Sequence, residues 1–192
     1  FILVTDFYLR VQNLLLSAHY FFIHYIAFMK TIILIPSRMA SSRFPGKPLA
    51  NIQGVPMIQR VWQNAIDSNI GDVVVACAEN EVFNLITSLG GRAIITDPDL
   101  PSGTDRIYAA LLKINKNFDF DYIVNLQGDM PLIKPSLIKQ VIVPLKNNYE
   151  IGTIATNLKK NEEKNPNVTK VIIEWEENFV GTALKFFRTT NN

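Results

Sequence analysis

At 192 residues the chain is long enough for one domain with a real core. Lys and Arg number 19 and Asp and Glu 17, a net charge of +2, too mild to recruit nucleic acid or an anionic membrane by bulk field. The single cysteine, Cys77, excludes an internal disulfide and fits a reducing cytosol. The two histidines, His19 and His24, sit near the N-terminus, so the rest of the chain offers no Cys/His metal cluster and no histidine-based nucleophile.

Residues 1–28 begin with Phe and are rich in Phe, Tyr, Leu and Ile, interrupted by Arg10 and the histidines. The apolar stretch over 20–28 is too short and too broken to span a bilayer. An early Asp6 and the lack of a small-residue cleavage site argue against a signal peptide. The segment reads as an extension ahead of a natural start at Met29, with a membrane-anchoring helix as the rival reading.

From 30 to 35 an apolar run predicts a buried strand, and a loop carrying Arg38, Arg43 and Lys47 leaves it. Residues 49–55 predict a short extended piece with a turn at Gly54, and Pro56 suits a first helical position. Met57, Ile58, Val61, Trp62, Ala65 and Ile66 recur at helical spacing, and that helix should end near 69–71. A second strand is expected over 72–78, a second helix through Val82, Ile86 and Leu89 up to Gly90-Gly91, and a third strand over 92–96. A turn over 97–106 opens a helix with Ile107, Ala110, Leu111 and Ile114 as its buried stripe and Thr104 as its cap. A fourth strand covers 122–126, a helix about 136–145, a strand 151–158, and a hairpin turns at 176–178. Strands alternating with helices imply an α/β fold, a mostly parallel sheet with helices on both faces.

Three strand exits on one sheet edge carry the chemistry. The first is the cationic loop, whose two arginines and lysine suit a polyphosphate, although a basic surface loop is an equal reading on spacing alone. It is not the common phosphate loop, because Ser41 stands at its first glycine position and Pro48 where a metal-binding hydroxyl belongs. At the second exit Ser102 and Gly103 suit a nucleobase edge or an ordinary helix-initiating turn. At the third, Gln127 can read a base or sugar hydroxyl, and Asp129 can hold Mg²⁺ or cap a turn.

Ile35-Pro36-Ser37-Arg38-Met39-Ala40-Ser41-Ser42-Arg43-Phe44-Pro45-Gly46-Lys47-Pro48-Leu49 resembles the signature loop of the 3-deoxy-manno-octulosonate (Kdo) cytidylyltransferases. Ser102-Gly103-Thr104-Asp105-Arg106, Val124-Asn125-Leu126-Gln127-Gly128-Asp129 and Asn165-Pro166-Asn167 with Lys170-Val171 follow in that family's order, so the resemblance spans about 29–188. It implies a Rossmann-like three-layer nucleotide-diphospho-sugar transferase fold. It further implies transfer of CMP from CTP to the anomeric hydroxyl of Kdo with release of pyrophosphate, for lipopolysaccharide assembly in the cytoplasm. By the same resemblance Arg38, Arg43 and Lys47 bind the CTP phosphates, Ser41 is a further substrate-binding residue, Ser102, Gly103 and Gln127 line the cytosine and sugar side, Asp129 ligates Mg²⁺, and Arg188 faces the sugar acid. Arg38, Lys47 and Asp129 would be the catalytic set.

Two departures qualify the resemblance. Met130 stands where the family usually has an acidic residue, and from Thr189 the chain leaves the pattern. The fold is therefore expected to be incomplete at its C-terminus, without a second metal-binding aspartate and without the family's homodimer contacts. An inactive remnant that keeps nucleotide binding and a cytidylyltransferase for another sugar acid are the rival readings.

Overall fold

Ile32, Ile33, Leu34 and Ile35 make a strand with no polar alternation, and β1 (Thr31–Ser37) is buried along its whole length. A strand apolar on both sides is stable only when both faces are covered, as in a parallel sheet. The computed structural model that shows this describes residues 30–40, 44–115, 117, 119–147, 149–176 and 180–188. The readings for 1–28 and for the tail from Thr189 lie outside the described residues. Two compact units divide the chain, Phe1–Pro135 and Ser136–Asn192.

In the first unit a two-stranded hairpin, β2 (Asn51–Ile52) and β3 (Val55–Pro56), leads into α1 (Met57–Ser68). Gln53 and Gly54 both have positive φ, the conformation that a two-residue hairpin turn requires, and Asn51 Oδ1 accepts from the Gly54 amide. Pro56 is the residue before α1 rather than its first, because its extended backbone still pairs with Asn51. Asn69, at φ 49°, ends the helix where expected. Then come β4 (Asp72–Cys77), α2 (Asn80–Ser88), β5 (Arg92–Ile95), α3 (Gly103–Ile114) and β6 (Tyr122–Asn125).

The four long strands form one parallel sheet in the order β5-β4-β1-β6, with Ile32 beside Asp72 on one edge of β1 and Thr31 beside Tyr122 on the other. One face buries Ile32, Leu34, Val74 and Ala76 under Ile107, Ala110 and Leu111 of α3. The helices α1 and α2 pack against β1, β4 and β5. The expected α/β sheet is therefore present. Because the strands step outward from β1 to β4 to β5 and then return to β6, the topology reverses between β1 and β6. Open α/β sheets bind ligands in the crevice beyond the strand ends at such a point.

Pro36 lies inside β1, although the apolar run stops there. The Leu34 carbonyl accepts from Leu126, so the backbone groups of the positions in phase with it, including Pro36, point toward the β6 edge. By then β6 has ended at Asn125, so the missing proline N–H costs no ladder bond.

The second unit corrects two expectations. In place of one helix over 136–145 there are two short ones, α4 (Pro135–Gln140) and α5 (Val143–Lys146). Pro144 has no N–H and its ring crowds the carbonyl four residues back, which belongs to Gln140, where α4 stops. Residues 151–158 form no strand, because no described segment pairs with them, and Ile151 is left 87% exposed. The hairpin is as expected: β7 (Lys170–Trp175) pairs antiparallel with β8 (Gly181–Phe187).

Candidate active site

Beyond the ends of β1 and β6 lies a cleft of about 310 Å³, wide enough for a small ligand. From the β1 exit come Pro36, Ser37, Arg38 and Ala40, and from the β6 exit Gln127, Gly128 and Asp129. Ser102, Gly103 and Arg106 reach it from the start of α3, and Lys47, Pro48 and Met57 from the far end of the cationic loop and the start of α1. Six of the sequence-derived candidates, Arg38, Lys47, Ser102, Gly103, Gln127 and Asp129, thus meet in one place. Ser41 and Arg43 lie outside the described residues.

Glycines permit this convergence. A side chain on Gly128 would put a Cβ 2.5 Å from the Pro36 carbonyl, so only glycine lets the two strand exits pass so closely. At Gly103 a Cβ would meet the Pro36 ring at 3.2 Å and Gln127 Oε1 at 3.4 Å.

The ends of the cationic loop are tied together. Met39 O accepts from the Gly46 amide at 3.0 Å, while the Met39 amide donates to Glu79 Oε1 at 3.0 Å. Gly46 sits at φ 72°, and a 3₁₀ turn over Lys47–Leu49 follows it. Lys47 Nζ then reaches Asp129 Oδ2 at 2.7 Å, across 82 residues of sequence. Both partners are substantially exposed, so the pair adds little to stability and is free to exchange partners.

Ser102, not Thr104, caps α3. Its backbone is extended, and its Oγ accepts from the Asp105 amide at 3.1 Å and donates to Asp105 Oδ2 at 2.5 Å. The hydroxyl is therefore committed locally, although the residue still lines the cleft. Gln127 Nε2 donates to Asn125 Oδ1 at 2.7 Å, which turns Oε1 toward Gly103.

Three residues escaped the sequence reading of the site. Arg106, 1% exposed, lines the cleft floor and donates to Thr96 Oγ1 at 2.6 Å, Asp97 O at 2.9 Å and Pro98 O at 3.3 Å. Burial opposes its charge and nearby Arg38 adds to that, whereas Glu79 favours the charged form. A buried arginine beside an exposed one gives the cleft a positive floor that attracts anions. Glu79 anchors Met39 through one oxygen, while its other oxygen is buried without a partner. Ser37 is 5% exposed and its Oγ is likewise unpaired. The sequence signal for Arg106 was available: it immediately precedes Ile107 on the buried stripe of an amphipathic helix.

Arg188 belongs to the second unit, at the end of its hairpin. Its Nη1 donates to Pro166 O at 3.4 Å and Asn167 O at 3.3 Å, and its carbonyl accepts from the buried Lys170 Nζ at 2.6 Å. Lys170 Nζ also donates to Asn165 O at 2.5 Å. The Asn165-Pro166-Asn167 motif, Lys170 and Arg188 are thus joined in one polar clasp.

A cationic cleft at the switch point of a parallel α/β sheet stands where folds of this class place their ligands, and its charge suits an anionic one. The family model described as cytidylyltransferase matches residues 32–192, and the chain belongs to that family. It is 45% identical over 168 residues to the 3-deoxy-manno-octulosonate cytidylyltransferase of Paramagnetospirillum magneticum, covering 86% of this chain and 68% of that protein. The protein of the same name from Rhodospirillum rubrum is 43% identical over 163 residues, covering 83% of this chain and 65% of its own. Among solved structures, a CMP:2-keto-3-deoxy-manno-octonic acid synthetase complexed with CTP superposes with a TM-score of 0.70 at 34% identity, covering 83% of this chain and 64% of that one. A cytidylyltransferase from Leptospira borgpetersenii gives 0.52 at 26% identity, covering 64% of this chain and 51% of that one. The chain thus spans about two thirds of the length of its curated relatives.

Proposed function

We propose that this chain binds CTP in the cleft and transfers CMP to the anomeric hydroxyl of Kdo, releasing pyrophosphate. The observation that carries the proposal is the meeting of Arg38, Lys47 and Asp129 at the sheet's switch point, in a chain similar to a synthetase solved with CTP. In the reaction the hydroxyl oxygen bonds to the α-phosphorus, its proton passes to solvent, and pyrophosphate leaves with the electrons of the broken P–O bond. Arg38 and Lys47 hold the phosphates and offset the charge that develops on the leaving group, and Arg106 adds positive charge to the cleft lining. Gly103 leaves its backbone accessible, and the free Gln127 Oε1 accepts from the cytosine amino group or a sugar hydroxyl.

Asp129 fits a divalent cation. It is a hard oxygen donor, more than half exposed, on the cleft wall, and no group of three or more His, Cys, Asp or Glu among the described residues offers a complete cage. Mg²⁺ binds in this manner, through one or two carboxylates with phosphate oxygens and water completing its shell. When bound, it neutralises phosphate charge and orients the polyphosphate. Lys47, released from Asp129, would turn to the phosphates. A role in lipopolysaccharide assembly and a cytoplasmic location follow from this reading. Among the described residues no helix is long and apolar enough to cross a membrane.

Pyrophosphate release, coupled to a colour reaction, is the test. With CTP, Kdo and Mg²⁺ the wild type should turn over, and Asp129→Asn should lose about a hundredfold or more in rate. Its melting temperature should move by less than about 4 °C, since an exposed pair contributes about 0–1 kcal/mol. Release with another sugar acid and none with Kdo would refute the acceptor, and CTP binding without release would confine the function to nucleotide binding.

A further inference from the structure

We propose that Ser37 is a nucleotide-binding residue, its hydroxyl donating to a phosphate oxygen; the assignment rests on the CTP reading of the cleft. Ser37 is the last residue of β1, lines the cleft and is 5% exposed, yet its Oγ has no hydrogen-bond partner. A buried hydroxyl without a partner costs free energy that an alanine would avoid. An unpaired donor on a ligand-sized cleft is accounted for when the ligand supplies the acceptor.

Strand alternation decides which part of the ligand that is. Ile32, Leu34 and Pro36 face α3: the first two pack on Ile107 and Leu111, and the Pro36 ring lies against Gly103. Ile33, Ile35 and Ser37 therefore face the opposite side. On that side Ile35 and Ile58 of α1 both approach the position that a Gly128 Cβ would occupy. The Lys47–Leu49 turn packs against α1 as well. Ser37 thus shares the side of the cleft that carries Lys47, across the sheet from Gly103 and Ser102. A hydroxyl there meets the polyphosphate and not the base.

Stability and affinity should consequently move in opposite directions in Ser37→Ala. The variant should melt at or above the wild-type temperature, because an unpaired buried hydroxyl is gone. It should bind CTP about tenfold more weakly, equivalent to about 1.4 kcal/mol. NMR-monitored titration with CTP and with cytidine separates the parts of the ligand: cytidine, which has no phosphate, should bind wild type and Ser37→Ala alike. Ser37→Cys, which keeps the size but only a weak donor, should resemble Ser37→Ala. Equal CTP affinity in wild type and Ser37→Ala would overturn the assignment. Loss of cytidine affinity to the same extent as CTP would overturn the placement at the phosphates. Failure of wild-type protein to bind CTP at all would overturn the nucleotide reading itself, and the Ser37 assignment with it.

Discussion

Two seven-residue strands of comparable apolar content meet opposite fates. Every residue of β1 is buried, whereas none of β8 is, although β8 carries Leu184, Phe186 and Phe187. The strand β1 has a hydrogen-bonded neighbour on each edge and helices against the sheet; among the described residues β8 pairs with β7 alone, in a two-stranded ribbon. Leu184 is 60% exposed and Trp175, on the partner strand, 62%. Neighbours, not hydrophobicity, determine burial, and a strand locked on both edges can aim the loop that leaves it. That is why the cationic cleft belongs to the end of β1. The hairpin relies instead on local polar ties: the Lys170 clasp at one end, and at the other the Glu176 carboxylate accepting from the Tyr149 and Thr182 hydroxyls.

The largest effect that tests this contrast is truncation in each strand. Leu34→Ala removes a fully buried side chain from the α3 face of the sheet and should cost about 2–5 kcal/mol in urea denaturation. Leu184→Ala, the same deletion on β8, should cost less than about 0.5 kcal/mol. Comparable losses would break the contrast, and would mean that the exposed face of the hairpin is covered in solution.

What the sequence made legible follows the same division. Residues 30–35 announced themselves because a continuous Ile-Ile-Leu-Ile run has few alternatives to a buried parallel strand, and the three loop exits then converged by topology alone. The segment at 151–158 misled because apolar residues there satisfy a strand pattern, while a strand also needs a partner that no pattern reveals. Thr104 and Ser102 are both good caps; only the backbone angles distinguished them. Arg106, Glu79 and Ser37 were hidden for one common reason. Arg106 and Ser37 act through burial at the cleft and Glu79 through a bond to Met39, 40 residues away in sequence, and these are tertiary facts that local spacing does not encode.

Cys77 sharpens the contrast on a smaller scale, since it reports on the sheet and not on the hairpin. It lies on β4 beside Ser37, fully buried, and burial, with the negative charge of Glu79 adding, pushes its thiol from 9.0 up to about 11. Between those values the unfolded chain releases the proton while the folded chain keeps it, so stability should fall as pH rises from about 9 to 11 and be unaffected by this group below 9. The loss should reach on the order of 2 kcal/mol. Urea titrations of wild type and Cys77→Ala at pH 8 and pH 11 isolate it, because the other titrating groups are common to both proteins. The thiol should also resist iodoacetamide at pH 8 until urea opens the sheet. Alkylation in the native state would show that β4 opens as readily as an edge.

The smallest effect concerns how far the rigidity of β1 extends past Ser37. Met39 is two residues beyond the strand, and its amide is held by Glu79, which precedes α2. If that bond fixes the base of the cationic loop, Glu79→Ala should raise the KM for CTP about fivefold, the worth of one hydrogen bond of about 1 kcal/mol, with a smaller change in kcat. Glu79→Gln retains an acceptor for the Met39 amide but removes the charge that favours protonated Arg106. Recovery of the wild-type KM in Glu79→Gln would assign the role to the hydrogen bond. A KM as poor as that of Glu79→Ala would assign it to the charge, because a glutamine at 79 carries none to favour protonated Arg106. A wild-type KM in Glu79→Ala would mean that the sheet's rigidity ends with β1, and that the loop is positioned by its own Met39–Gly46 tie.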